Sequence, residues 1–395
     1  MVYWKPMDNL ALYLHIPFCS SRCTYCDFFT STGREDWIPD YVEALTAELD
    51  YLSRSAPEEI GISSVFLGGG TPSLLLSNQV QQLLQAVRDG FHLFPDAEIT
   101  LEANPESVSQ PYLGEIFLAG VNRLSLGMQT SDPDQLRLLG RRHDFPEVEE
   151  AVRGARRVGF ENLNLDLIYG IPGGTVASWR DTLNAALDLE PEHLSLYGLT
   201  LEEGTPLADQ VKRGLVPDPN PDWAAELIDQ AAGKLRAGGY RRYEIANWAK
   251  PGRTCRHNLT YWTLEPYLGV GAGAHGLVNG VRTENTQDWD QYTRCWADPP
   301  EKGEQFPATP AAVRVRKLDR DTEMDEYLIM GLRLTEKGVS AQAFSSRFGR
   351  DLEEVYGQSL GELLDWDLLA WEGDSLRLTP RAVEVANQVF SRLLR

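Results

Sequence analysis

From Ala11 to about residue 240 the hydrophobic and polar positions repeat one unit. A short run rich in Leu or β-branched residues is followed by a turn and then by a helical stretch. The runs predict strands at Ala11–Phe18, Ser64–Leu67, Glu98–Ala103, Arg123–Met128, Asn162–Ile168 and His193–Leu199. Helices are predicted near 39–54, 77–90, 110–119, 146–158, 175–188 and 222–238. Strand and helix alternating over this length imply an α/β fold, a parallel sheet with helices packed outside. Six such units fit an open or partly closed barrel and also a doubly wound sheet, and periodicity does not choose between them. In either case functional groups gather at the carboxyl ends of the strands.

The pattern changes after residue 240. The segment 240–308 is less regular and rich in Trp, Tyr and Gly, and Pro299, Pro300, Pro307 and Pro310 mark a linker. Helices follow near 321–334, 340–347 and 351–366, then a strand pair around Trp371 and Leu376–Leu378 that turns at Gly373-Asp374, then a helix over 380–394. Helices ending in a small hairpin predict a mostly helical, winged-helix-like domain, whose plainest role is protein contact. The expected domains are therefore 1–240, 241–308 and 309–395. A length of 395 residues agrees with two or three domains.

Charge narrows the function classes. Lys and Arg number 37 against 58 Asp and Glu, a net charge of −21. Such a chain is a poor candidate for gripping nucleic acid or anionic lipid. No apolar run reaches the ~18 residues of a membrane span. Leu10 to Phe18 is apolar-rich, but Asp8 precedes it, His15 interrupts it and no small-residue cleavage site follows, so it reads as a strand rather than a signal peptide. A cytoplasmic protein is expected.

Five cysteines is an odd count in a chain too long to need disulfide staples, which points to metal or catalysis. Cys19, Cys23 and Cys26 fall at C-x3-C-x2-C where the first predicted strand ends. Three thiolates on one loop can each bind one iron of a [4Fe–4S] cluster and leave the fourth iron open to a small molecule, whereas an electron-transfer ferredoxin uses four cysteines. Zinc would need a fourth ligand, and none stands at the usual spacing. This spacing, with its flank Tyr13-Leu-His15-Ile-Pro-Phe-Cys19, resembles the radical S-adenosylmethionine (SAM) superfamily. Within it, the likeness over nearly the whole chain is to the oxygen-independent coproporphyrinogen oxidase-like group. The resemblance implies a partial (β/α)6 barrel, a [4Fe–4S] cluster on the three cysteines, and S-adenosylmethionine chelated at the open iron, where an electron from the cluster can cleave it to a 5′-deoxyadenosyl radical.

Further segments support it. Gly68-Gly69-Gly70-Thr71-Pro72, after Val65-Phe66-Leu67, lets backbone approach a ligand closely and resembles the family's glycine motif at the methionine end of the cofactor. Glu102 ends the third predicted strand, Gln129 the fourth, Asp166 lies in the fifth, and Arg141 follows Gln129 by one short helix. A guanidinium fork suits a carboxylate, and carboxylates suit ribose hydroxyls. The family pattern implies cofactor contacts at Tyr13, Tyr25, Gly69, Gly70, Thr71, Glu102, Gln129, Arg141 and Asp166, with Thr200 a weaker match.

Two features select a branch. The decarboxylating oxidases carry a fourth cysteine where this chain has Phe28, and a longer amino-terminal arm than the 18 residues before Cys19. Downstream, Cys255-Arg-His257-Asn258-Leu-Thr-Tyr261-Trp262 contains H-N-x-x-Y-W, which resembles the signature of the HemW branch of heme chaperones. That resemblance implies His257 as a heme-iron ligand with Tyr261 and Trp262 against the macrocycle. Local sequence alone equally allows a hydrogen-bonded histidine beside an aromatic pair. The loop from Gly269 to His275 is a close-approach turn rather than a phosphate loop, since no Lys-Ser/Thr follows. His275 and Cys255 are further candidate iron ligands, with structural roles favoured, and Cys295 is expected to be a buried small hydrophobe. Two functions stay open. One is a heme chaperone, without coproporphyrinogen oxidase activity, that passes heme to acceptor hemoproteins; membrane-bound respiratory enzymes as acceptors and a homodimer are open options. The other is a radical SAM oxidoreductase acting on a porphyrin-like substrate.

Overall fold

The six predicted strands all form: β1 (Leu10–Ile16), β2 (Gly61–Gly69), β3 (His92–Ala103), β4 (Arg123–Gln129), β5 (Leu163–Tyr169) and β6 (His193–Gly198). They come from a computed structural model that describes residues 9–298 and 305–395, so Pro299 and Pro300 of the expected linker lie outside the described residues. Each strand pairs in parallel with the next in chain order. A doubly wound sheet reverses its strand order part-way. This one does not reverse, so it is the barrel alternative, left open between β6 and β1.

Both edges of the barrel are extended. β6 continues through β7 (Arg241–Arg242) and β8 (Asn247–Ala249). β1 continues through β9 (Tyr267–Val270), β10 (His275–Val278), β11 (Val281–Asn285) and β12 (Ala312–Lys317). The segment expected to be irregular thus supplies five strands of the same sheet, and β12 carries the sheet past residue 308. These strands are two to six residues long and separated by glycines, too short to show a period.

The helices Ile38–Ser55, Ser77–Gly90, Gln110–Ala119, Phe145–Val158 and Val176–Asp188 follow the strands as predicted. Local chemistry sets their ends. Asp144 and Thr175 open the last two with capping boxes, and Gly159 ends the helix from Phe145 in a left-handed turn, φ 111°. Alternate strand residues such as Leu12, Val65, Leu101, Leu124 and Leu165 are buried in the core against these helices. The residues between them face the lumen, and the lumen is polar: Ser64, Glu98, Thr100, Glu102, Arg123, Ser125, Asn164, Asp166 and His193.

The helices Arg320–Leu332, Ala341–Phe348 and Leu352–Asp365, with a three-stranded sheet that includes the predicted hairpin, build a second core around Leu328, Phe344, Leu360 and Phe390. The last element begins as a 3-10 turn over Pro380–Val385 and turns α-helical only at Ala386–Leu393. This unit joins the barrel through the Arg242–Glu384 ion pair at 2.9 Å and Arg333 lying 4.3 Å over the Trp262 ring. Among the described residues no helix is long and apolar enough to cross a membrane.

Candidate cofactor site

Cys19 follows β1 directly, and the loop it opens is held from several sides. Thr24 N–H donates to the Leu139 carbonyl at 3.0 Å and its hydroxyl to Leu138 at 2.7 Å, while Leu207 N–H donates to the Thr24 carbonyl at 2.8 Å. Arg22 donates to the Cys26 carbonyl at 3.2 Å. The glycine run after β2 packs beneath: Gly70 N–H reaches Ile16 O at 2.9 Å, and Thr71 N–H reaches Phe18 O at 2.7 Å. A Cβ on Gly70 would sit 2.6 Å from Phe18 O, and one on Gly69 (φ +114°) 2.5 Å from the His15 ring. These two positions need glycine for close approach, as the motif suggested.

A cavity of about 410 Å³ opens at this end of the barrel. Cys19, Cys23, Cys26, Tyr25, Gly69, Gly70, Thr71, Glu102, Gln129, Arg141, Asp166 and Thr200 all line it. Arg141 donates to Asn104 Oδ1 at 2.7 Å and to the Tyr25 hydroxyl at 2.6 Å, and its Nε is buried without a partner. Gln129 has φ +63°, a left-handed conformation uncommon outside glycine. Gly127 is what lets both side chains cross there: its Cβ would stand 2.9 Å from Gln129 Nε2 and 3.5 Å from Arg141.

The carboxyl groups are electrically loaded. Burial, and then the charge of Asp166, push Glu102 up to about 7 against the opposing Gly69 N–H, which donates to it at 3.1 Å. Burial also raises Asp166, opposed by hydrogen bonds from Asn164 at 2.9 Å and Ser125 at 3.3 Å. Burial holds the thiols of Cys19 and Cys26 above their ordinary value.

The residues fit a cluster better than a single ion. Among the described residues no three His, Cys, Asp or Glu side chains converge on one metal position. A cluster instead needs thiolates at separate corners and space for a molecule on its open iron. Here three cysteines line a cavity that Arg141, Glu102 and Asp166 also line.

Residues 13–186 match the family model described as the radical SAM superfamily, and residues 318–385 the HemN C-terminal domain. The chain is 34% identical over 382 residues to the heme chaperone HemW of Lactococcus lactis, covering 97% of this chain and 96% of that protein. The chain belongs to the HemW family of the radical SAM superfamily. It is also 42% identical to the radical S-adenosyl methionine domain-containing protein 1, mitochondrial, of Bos taurus, over 98% of this chain and 88% of that one. In fold it is like coproporphyrinogen III oxidase (HemN) from Escherichia coli, with a TM-score of 0.84 at 23% identity over 100% of this chain and 92% of that chain.

The H-N-x-x-Y-W string of this HemW-family chain lies elsewhere. It forms the helix Arg256–Trp262, held against β2 and β3 through Ser64, Asp96 and Glu98. His257 is 1% exposed, and its ring lies 5.0 Å from Phe66. Nδ1 bonds Ser64 Oγ at 3.0 Å and Nε2 bonds the Tyr261 hydroxyl at 2.9 Å. Burial, aided by Arg123, holds the imidazole neutral, down to about 3. The iron ligand expected from the motif is thus a lumen residue with both ring nitrogens engaged. Tyr13 also departs from expectation: it does not line the cavity but bonds His15 Nδ1 at 2.8 Å, and His15 Nε2 in turn bonds the Phe29 carbonyl at 3.1 Å.

His275 is exposed, Cys255 is buried with its thiol donating to Glu98 at 3.3 Å, and Cys295 is half-buried beside Pro310. The Gly269–His275 turn packs against the end of the cysteine loop, since a Cβ on Gly273 would meet Phe29 at 2.7 Å. Sequence reasoning missed Asn104, which orients Arg141, and Arg123. The available signals were an Asn two places past Glu102 and a charge opening an otherwise apolar strand.

Proposed function

We propose that this chain is a heme chaperone that holds a [4Fe–4S] cluster on Cys19, Cys23 and Cys26, binds S-adenosylmethionine beside it, and passes heme to acceptor hemoproteins. The observation that carries the cofactor part is the gathering of the three cysteines and eight of the nine expected contacts around one cavity. Bound there, the cluster would supply one electron to the sulfonium of S-adenosylmethionine. The chain's own part is positioning. Arg141, held by Asn104 and Tyr25, brings its guanidinium charge to the cofactor's carboxylate, and Glu102 and Asp166 accept the cofactor's hydroxyl and ammonium donors. The backbone of Gly69, Gly70 and Thr71 lies against its methionine end.

Heme transfer is supported by membership in a family whose named relatives are heme chaperones, and by Phe28, 66% exposed at the cavity mouth where the decarboxylase pattern has cysteine. In this reading His257 reaches iron only by exchanging its bonds to Ser64 and Tyr261. Acceptor identity and self-association are not part of the proposal; a cytoplasmic site is. The test uses the anaerobically reconstituted chain. Arg141→Ala and Asp166→Ala are expected to weaken S-adenosylmethionine binding roughly 10- to 150-fold, the loss of one charge-assisted hydrogen bond, with iron content intact. Heme is expected to bind stoichiometrically with no protoporphyrinogen formed from coproporphyrinogen. Steady protoporphyrinogen production without heme uptake overturns the chaperone reading in favour of the oxidoreductase.

A further inference from the structure

Arg123 opens β4 on its lumen face and is 2% exposed, the one buried Lys or Arg among the described residues. It stands opposite Thr100 in register, one row below the Glu102–Ser125 pair that lines the cavity. Among the described residues its Nε has no hydrogen-bond partner, and it makes no contact ion pair. A guanidinium buried without a partner is costly, so its presence asks for a reason.

The groups around it supply one. Three carboxyl groups face the same lumen: Glu98 and Glu102 from β3 and Asp166 from β5. Glu98 is engaged, accepting from the His257 N–H at 3.1 Å and the Cys255 thiol. Glu102 and Asp166 face the cavity, and like charges sharing a low-dielectric space oppose each other's ionisation. The other titratable neighbours do not offset this. His193 and His257 are held neutral by burial, as is His15 on β1, while Tyr13, Tyr243 and Cys255 are held in their protonated forms. Arg141, at the rim, is committed to Asn104 and Tyr25. An arginine keeps its proton under such burial where a lysine readily loses it.

We propose that Arg123 is a positioning residue for the S-adenosylmethionine site: its charge, fixed beneath the cavity, favours the ionised forms of Glu102 and Asp166, which accept the cofactor's hydroxyl donors. This rests on the cofactor reading given above. Arg123 touches no cofactor atom in this account; it acts through the two carboxylates. The sign follows directly. Removing a nearby positive charge raises a carboxyl group's pKa, so binding that needs the carboxylate is lost at a higher pH as the solution is acidified.

The experiment is equilibrium binding of S-adenosylmethionine to the cluster-reconstituted chain from pH 6 to 8.5, with iron content measured on each sample. Arg123→Met is expected to keep its iron and to move the acidic limb of binding upward by about one pH unit, with roughly fivefold weakening at pH 7 and recovery toward pH 8.5. Arg123→Lys is expected to fall between Arg123→Met and the parent. If Arg123→Met does not fold, Arg123→Gln supplies the charge-free variant and is expected to show the same upward shift. A parent-like pH profile in the folded charge-free variant overturns the inference. Arg141→Ala and Asp166→Ala separate the two failures: if both bind normally, the cofactor reading itself is wrong, and if they weaken while the charge-free variant does not, only the role of Arg123 is.

Discussion

The burial of His257 beside Ser64 and Phe66 has a measurable consequence in mild acid. Burial lowers the ring from the ordinary 6.5 to about 3, so the folded chain keeps it neutral while the unfolded chain protonates it. A histidine with a lowered folded pKa contributes stability that is complete above pH 6.5 and is lost as pH falls through that value toward the folded one. At pH 5 the loss is about 2 kcal/mol, set almost wholly by the unfolded ring, because the folded one has hardly begun to titrate. Urea unfolding of the cluster-free chain at pH 7.5 and pH 5, followed by tryptophan fluorescence, measures the total change. The same pair of measurements on His257→Gln isolates the ring. Its amide can still donate and accept toward Ser64 and Tyr261 but cannot take up a proton. The buried His15 and His193 titrate alike in both proteins and cancel to within a few tenths of a kcal/mol. The parent is therefore expected to lose about 2 kcal/mol more than His257→Gln between the two pH values. Parallel losses would refute the placement, since they would mean that the ring already titrates as an open imidazole.

Glu48 is fully buried and accepts four hydrogen bonds, from Gly271 N–H at 2.8 Å, Asn285 Nδ2 at 2.7 Å, the Tyr292 hydroxyl at 2.7 Å and the Thr309 hydroxyl at 3.0 Å. Glu48→Gln points an N–H₂ at two of those donors, so a loss of roughly 2–5 kcal/mol is expected, read from urea midpoints. Gly70→Ala puts a methyl group 2.6 Å from the Phe18 carbonyl, between the glycine loop and the cysteine loop. That variant is expected to fold but to lose most cluster iron and S-adenosylmethionine binding; full iron content would show that the two loops move freely of each other.

What could be read from the chain was whatever local pattern encodes. The barrel strands and their helices show their period within ten to twenty residues, and the cysteine spacing and glycine run announce the cavity. Strand order was not readable, because parallel pairing joins residues tens of positions apart, and only the structure excludes the doubly wound alternative. The surroundings of His257 were unreadable for the same reason. Nothing near H-N-x-x-Y-W says that Ser64 and Phe66, on β2, will take one ring nitrogen and one ring face. Glu48 lies on an otherwise ordinary amphipathic helix, and its four donors lie between residues 271 and 309. The strands between Tyr267 and Lys317 are fixed by the sheet edge they extend rather than by their own composition.

The tethers of the cysteine loop also set a schedule for synthesis. Cys19, Cys23 and Cys26 leave the ribosome early, but Thr24 between them is held by Leu138, Leu139 and finally Leu207. That last anchor follows by about 180 residues, which at 5–20 residues per second take roughly 10–40 s to make. Until then the loop that carries the three thiols lacks its last tether, with the thiols open to oxidation and to stray metal. Iron delivered during translation would meet a loop without its full frame, so insertion of the proposed cluster is expected only after the segment around Leu207 has emerged and docked.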